Sequence, residues 1–328
     1  MPYNTGGMFA VSDGMFVYAG GGLDLLSNTF HSDLLRYDPL NDFWTALRPS
    51  PDQHAVSQAV YFNGKIYDMG GFGPGLQITD TTRIYNIDTH TWSTGAPMPQ
   101  PLADMATALW KGVIYVAGGF NGTWVDTLYT YDIATDTWKT DLARLPQPLN
   151  LPGFGVIDRK LYIAGGYNGS AVLNTLYIYN IDTNTWTMGA NLPQPPVAAP
   201  GSTVFNNHGT GLKLYVYGGI LADLTLTNVT LIYDPHTDTW SRGPDMNVSR
   251  GVLYGTAVGD DRIVAPGGSD NDITGFDVNE QLINVPCGTA TPTPTPTATL
   301  TPTATATPTA TARPFSTPRP RPTPAPRP

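Results

Sequence analysis

A glycine pair recurs along this chain at Gly20-Gly21, Gly70-Gly71, Gly118-Gly119, Gly165-Gly166, Gly218-Gly219 and Gly267-Gly268, in steps of 50, 48, 47, 53 and 49 residues. Each pair closes a short apolar run, such as Val113-Ile114-Tyr115-Val116 or Lys160-Leu161-Tyr162-Ile163. Further on, an aromatic residue stands beside Asp or Asn, at Tyr37-Asp38, Tyr85-Asn86, Tyr131-Asp132, Tyr179-Asn180, Tyr233-Asp234 and Phe276-Asp277. Seven residues after each of the five tyrosines comes a tryptophan: Trp44, Trp92, Trp138, Trp186 and Trp240. In the sixth unit that place falls on Ile283. A motif repeated at this period marks modules that cannot bury their apolar faces alone and must stack on copies of themselves.

Each unit reads as four short strands. In the third, Met105–Trp110 is followed by a Lys111-Gly112 turn and then by Val113–Ala117, apolar throughout as a strand covered on both faces should be. A third strand, Thr127–Tyr131, is rich in β-branched and aromatic residues, and a turn from Asp132 to Asp136 leads into a fourth around Trp138. Pro-rich stretches such as Met98-Pro99-Gln100-Pro101 and Leu145-Pro146-Gln147-Pro148 end the fourth strands. Of the 26 acidic residues only Glu280 is Glu, and the rest are Asp, which favours turns and caps over helix. The expectation is an all-β fold in which the sheets stack radially as a β-propeller, with the five tryptophans as structural wedges between blades.

The glycine pair, the Tyr-Asp and the tryptophan at these offsets resemble the kelch repeat, over residues 5–285. The resemblance implies a six-bladed kelch β-propeller with four antiparallel strands per blade, the sixth blade degraded. Each blade looks contiguous, so closure between the last and the first rests on face-to-face packing. The alternative is that the chain begins upstream, with a signal peptide or part of a seventh blade.

Copper chemistry of the galactose oxidase kind would imply a Cys–Tyr crosslink, but Cys287, the one cysteine, follows the last blade. The five histidines show no ligand spacing. Asp270-Asn271-Asp272 offers calcium-type oxygens but reads better as a hairpin loop, and no nucleophile triad or phosphate loop is seen. No catalytic residue, metal ligand or cofactor is therefore expected.

Binding is the favoured function, on the face carrying the longer second-to-third-strand loops. The resemblance implies that residues just after each glycine pair line the channel mouth: Gly22, Phe72, Phe120, Tyr167, Ile220 and Ser269, with Trp124 in the same loops. Kelch adaptors that capture acidic peptides carry Arg about 16 residues before the pair; here that register supplies only His54 and Arg250. The formal charge of −9 disfavours nucleic acid and acidic peptides and suits a neutral glycan or a protein with basic patches. The expected role is a monomeric, non-catalytic module for a glycan or a protein or peptide. A propeller enzyme acting on sugars, such as a mutarotase, and a structural spacer are the alternatives.

Composition breaks near Cys287–Gly288, which divides a propeller over 1–288 from a tail over 289–328. That tail holds 14 Thr, 12 Pro, four Arg and no acid. Its Thr-Pro alternation favours an extended, disordered stalk and resembles those of secreted and wall-associated bacterial proteins, so an extracellular or cell-surface location is expected. No signal peptide is visible, and no apolar run reaches the ~18–20 residues of a membrane span.

Overall fold

The repeat unit folds as the strand pattern predicts because alternate side chains of each strand face the sheets on either side. The computed structural model describes residues 1, 4–24, 27–207, 209–270, 275 and 277–283. It is all β apart from one short 3-10 turn, Pro74–Leu76. Five four-stranded antiparallel sheets span 9–46, 58–94, 106–139, 153–189 and 201–242, and a three-stranded sheet spans 256–283. These are the six blades of a propeller. In blade 3 the strands are Ala106–Trp110, Val113–Ala117, Leu128–Asp132 and Thr137–Lys139, paired in chain order. The first strands of the six blades pack around the axis, each against the next, and the first strand of blade 6, Thr256–Val258, meets Phe9–Ser12 of blade 1.

Register corrects the sequence alignment at both ends of the ring. In blades 2 to 5 the residue four before the glycine pair lies opposite the tyrosine, as Ile114 opposite Tyr131. In blade 1 Val17 faces Tyr37, so the structural pair is Gly21-Gly22, and Gly20 ends a strand. The backbone agrees, since Gly21 and Gly22 have φ of 66° and 109°, matching 64° and 109° at Gly118 and Gly119. In blade 6 Ile263 faces Leu282, so Leu282 and not Phe276 stands in the tyrosine's place, and Ile283 is not the tryptophan's counterpart. The sixth blade has three strands among the described residues; Asn271, Asp272, Cys287, the boundary at 287–288 and the tail lie outside them.

The tryptophans join the blades, though by a different balance of forces from simple wedging. Each indole is partly buried, stacks on the cross-strand tyrosine at ring-centroid distances of 4.8 to 5.1 Å, and leaves full burial to the tyrosine. The indole N–H reaches the blade before: Trp138 donates to the Ala96 carbonyl at 3.0 Å, Trp186 to Ala143 and Trp240 to Ala190, both at 2.8 Å. The same three alanines donate their N–H groups to Asp136, Asn184 and Asp238, each of which also accepts the hydroxyl of the tyrosine five residues earlier. Two hydrogen bonds thus stitch each of these seams, and both orphan groups of the exit segment are satisfied.

Candidate binding face

A closed circle of backbone hydrogen bonds sits at the axis. Val56 N–H donates to Gly7 O, Asp104 to Val56, Leu151 to Asp104, Ala199 to Leu151, Val252 to Ala199, and Gly7 to Val252, at 2.7 to 3.3 Å. All six residues have φ between 47° and 67°. For L residues, and above all for Val56 and Val252, this left-handed region costs about 1–2 kcal/mol each. The ring holds them there because each N–H and carbonyl would otherwise lack a partner. This circle also settles how the propeller closes: the bond from Gly7 to Val252 joins first and last blades. Gln281 Nε2 donating to Tyr37 OH at 2.6 Å and Arg262 Nη1 donating to Pro39 O at 2.8 Å add to it. Closure is therefore hydrogen-bonded as well as packed.

Just outside this circle, Ala55 bridges to Phe72, Ala103 to Phe120, Asn150 to Tyr167, and Gly251 to Ser269, while Ala198 pairs with Ile220. The residues after the glycine pairs therefore surround the channel mouth, except that Leu23, bridged to Gly6, takes the place expected for Gly22. Across blades 2 to 4 the rings form an arc. Phe72 and Phe120 lie 6.4 Å apart, Phe120 and Trp124 5.6 Å, and Trp124 and Tyr167 5.7 Å, the last two contacts edge to face. Trp124 is 38% exposed, and its indole lies over Gly169 of the next blade. The loops carrying the arc are held from behind. Asn121 Nδ2 donates to Gln100 Oε1 and Asn168 Nδ2 to Gln147 Oε1, both at 3.0 Å, while the same asparagines' oxygens accept loop N–H groups. Part of the entropy of ordering these loops is thus already spent in folding.

His54 and Arg250 do not reach this face. Both are fully buried at equivalent places in the seams entering blades 2 and 6. His54 Nε2 lies 2.8 Å from Asp68 Oδ2, and its Nδ1 lies 3.1 Å from the Asp52 carbonyl. Arg83 clasps Asp52 with Nε and Nη2, both at 2.7 Å, and donates through Nη1 to Gly70 O at 2.9 Å. Burial works to raise the Asp68 carboxyl, but His54 and Arg83 outweigh it and hold the group below its ordinary value. Arg250 donates to Glu280 at 2.9 Å and to the carbonyls of Ala265 and Gly267. Its burial outweighs the single carboxylate, so the guanidinium is held below its usual range. These pairs occupy positions that in blades 3 and 4 are Leu102 with Tyr129 and Leu149 with Tyr177, which is the signal by which the sequence could have revealed them.

The channel behind the circle is a cavity of about 220 Å³ lined by the first strands of all six blades. Asp104, a member of the circle, lies near Asn150, whose Nδ2 is 3.5 Å away, and near Gln58 and Tyr254. Desolvation pushes its carboxyl up to about 7. A carboxyl raised in the folded state contributes stability that is whole below its unfolded value near 4 and is lost as pH rises through about 7. Asp104→Asn should therefore melt with the parent at pH 4 and above it at pH 8, by about 2 kcal/mol once channel water is allowed for. Melting curves across that range check this, and a difference that does not change with pH would refute it.

Among the described residues no three or more His, Cys, Asp or Glu side chains gather as a metal site would need. No helix among them is long and apolar enough to cross a membrane.

The comparisons with known proteins agree with this architecture. The profile of the KLHDC2/KLHL20/DRC7 Kelch-repeats domain matches residues 59–268. The chain belongs to the kelch-repeat family. Kelch-like protein 35 of Mus musculus is 30% identical over 145 residues, 44% of this chain and 24% of that protein. Kelch-like protein 33 of Homo sapiens is 30% identical over 146 residues, 43% and 26%. Beta-scruin of Limulus polyphemus is 34% identical over 117 residues, 33% and 12%. The kelch chain thus aligns with about a quarter or less of the length of these relatives.

Proposed function

We propose that this kelch propeller is a non-catalytic interaction module whose loop face docks an extended polypeptide. The observation that carries the reading is the arc of Phe72, Phe120, Trp124 and Tyr167, rigidly backed and partly open to solvent across three blades. Aromatic side chains offer large contact area at small entropic cost and dominate binding energetics. Ile220 continues the same line into blade 5. The relatives are named as kelch-like proteins and scruin, which supports a protein partner, and the acidic charge favours one with basic patches. The Thr/Pro-rich segment after residue 288 is the ground for an extracellular or cell-surface setting, which fractionation of the source cells would test.

Peptide and glycan arrays probed with the whole chain test the binding reading. Basic extended peptides should bind, and Trp124→Ala should weaken them at least tenfold, about 1.4 kcal/mol or more. Hits confined to glycans would replace the polypeptide with a sugar ligand. Turnover of sialic acids or glycosides would overturn the non-catalytic reading.

A further inference from the structure

One pair of repeat positions decides how each seam is filled. It joins the residue two before the circle to the residue two before the third-strand tyrosine. The pairs are Leu102 with Tyr129, Leu149 with Tyr177, His54 with Arg83, and Arg250 with Glu280. In blade 1 the pair is Thr5 with Leu35, and Met1, Met8 and Trp44 pack around Leu35. In blade 5 the pair is Val197 with Leu231, and neither carries a ring; the long side chain beside them, Arg242, is mostly exposed and turned to Asp245 at 2.6 Å. A cavity of about 230 Å³ opens there, lined by Pro193, Pro195, Val197, Leu221, Leu231 and Trp240. An apolar cavity of about 150 Å³ is enough to hold benzene.

The glutamine that serves the ring in blade 4 also has a counterpart beside this cavity. In blade 4 the Tyr177 hydroxyl accepts a hydrogen bond from Gln147 Nε2 at 2.7 Å, and Gln147 Oε1 accepts from Asn168. The counterpart of Gln147 in blade 5 is Gln194, also in a Leu-Pro-Gln-Pro run, here followed by one extra residue, Pro196, before Val197. The tyrosine's place is taken by Leu231 and the asparagine's by Leu221, so Gln194 has no side-chain partner among the described residues and stands exposed at the rim of the cavity. We propose that this cavity is a binding site for a tyrosine side chain of a protein partner, its phenol filling the place that Tyr177 fills in blade 4 and its hydroxyl meeting Gln194. The site rests on the interaction reading only in that the phenol arrives on a polypeptide. It is separate from the aromatic arc.

N-acetyl-L-tyrosine amide titrated into the whole chain tests this, with the indole N–H resonance of Trp240, assigned through Trp240→Phe, as the readout. Saturable shifts are expected, with affinity at least threefold above that for the phenylalanine amide. Leu231→Tyr, which supplies the ring from within and leaves the fold intact, should weaken binding at least tenfold, and Gln194→Ala should erase the preference for tyrosine over phenylalanine. Trp124→Ala should leave all of this unchanged, so a failed peptide array and a failed pocket are distinct results. No saturable shift, parental affinity in a folded Leu231→Tyr variant, or binding of p-cresol in the absence of any binding of N-acetyl-L-tyrosine amide would overturn the proposal.

Discussion

Arg83→Leu is expected to destabilise the propeller by about 3–5 kcal/mol, the range for breaking a buried ion pair from one side. Asp68 is fully buried and Arg83 nearly so, and removal of the guanidinium leaves the buried carboxylate to His54, 2.8 Å away. Replacing the set together should behave quite differently. His54→Leu, Asp68→Val and Arg83→Tyr copy Leu102, Val116 and Tyr129 from blade 3. Apolar groups of suitable size in place of a buried charge cluster are often neutral or stabilising. Asp52, 41% exposed on its side chain, can return to water. The triple variant should also lose part of its acid sensitivity. The Asp68 carboxyl is depressed in the fold, so its contribution is present above its unfolded value near 4 and is lost as pH falls through the lower folded value. Denaturation of the single and triple variants at pH 7 and pH 3 separates these outcomes. A single variant as stable as the parent, or a triple variant as damaged as the single, would show that the cluster is not a balanced unit.

Gly118→Ala should be nearly as damaging, for a reason of shape rather than charge. Gly118 has φ of +64°, and a Cβ there would lie 2.2 Å from the Leu149 carbonyl oxygen. That oxygen is backbone and accepts the Gly119 N–H at 2.8 Å, so it cannot retreat without loosening the entry to blade 4. Left-handed strain of about 1–2 kcal/mol adds to an overpacking cost of about 1–3 kcal/mol. Gly122→Ala supplies the comparison. Gly122 also has positive φ, +105°, but nothing lies within 4 Å of its Cβ position, so only the strain should appear. Thermal midpoints of the two variants measure the difference. Equal midpoints would mean that the glycine pairs serve chain flexibility and not the close approach of neighbouring blades.

The repeat made the architecture legible because its marks are chemical necessities. Glycines where a carbonyl of the next blade comes too close recur in all six blades, and buried tyrosines with tryptophans stacked on them recur in the first five. The channel-mouth residues could be read from the same register, since position after the glycine pair is position around the axis. The circle of left-handed residues left no such mark. Gly7, Val56, Asp104, Leu151, Ala199 and Val252 share a backbone conformation and no side-chain chemistry, because what holds them is the N–H and carbonyl every residue has.

His54 and Arg250 show the converse. Their charge suggested a surface, and only the packing of neighbouring blades revealed Asp68 and Glu280 as their buried partners. The sequence by itself determined the number of blades, the strand order within each and the face on which the varied loops emerge, all being local or periodic properties. Tertiary structure decided how the ring closes, which polar residues turn inward and where a seam is left underfilled. Those depend on what residues 14 to 245 positions apart present to one another, and no local pattern contains that.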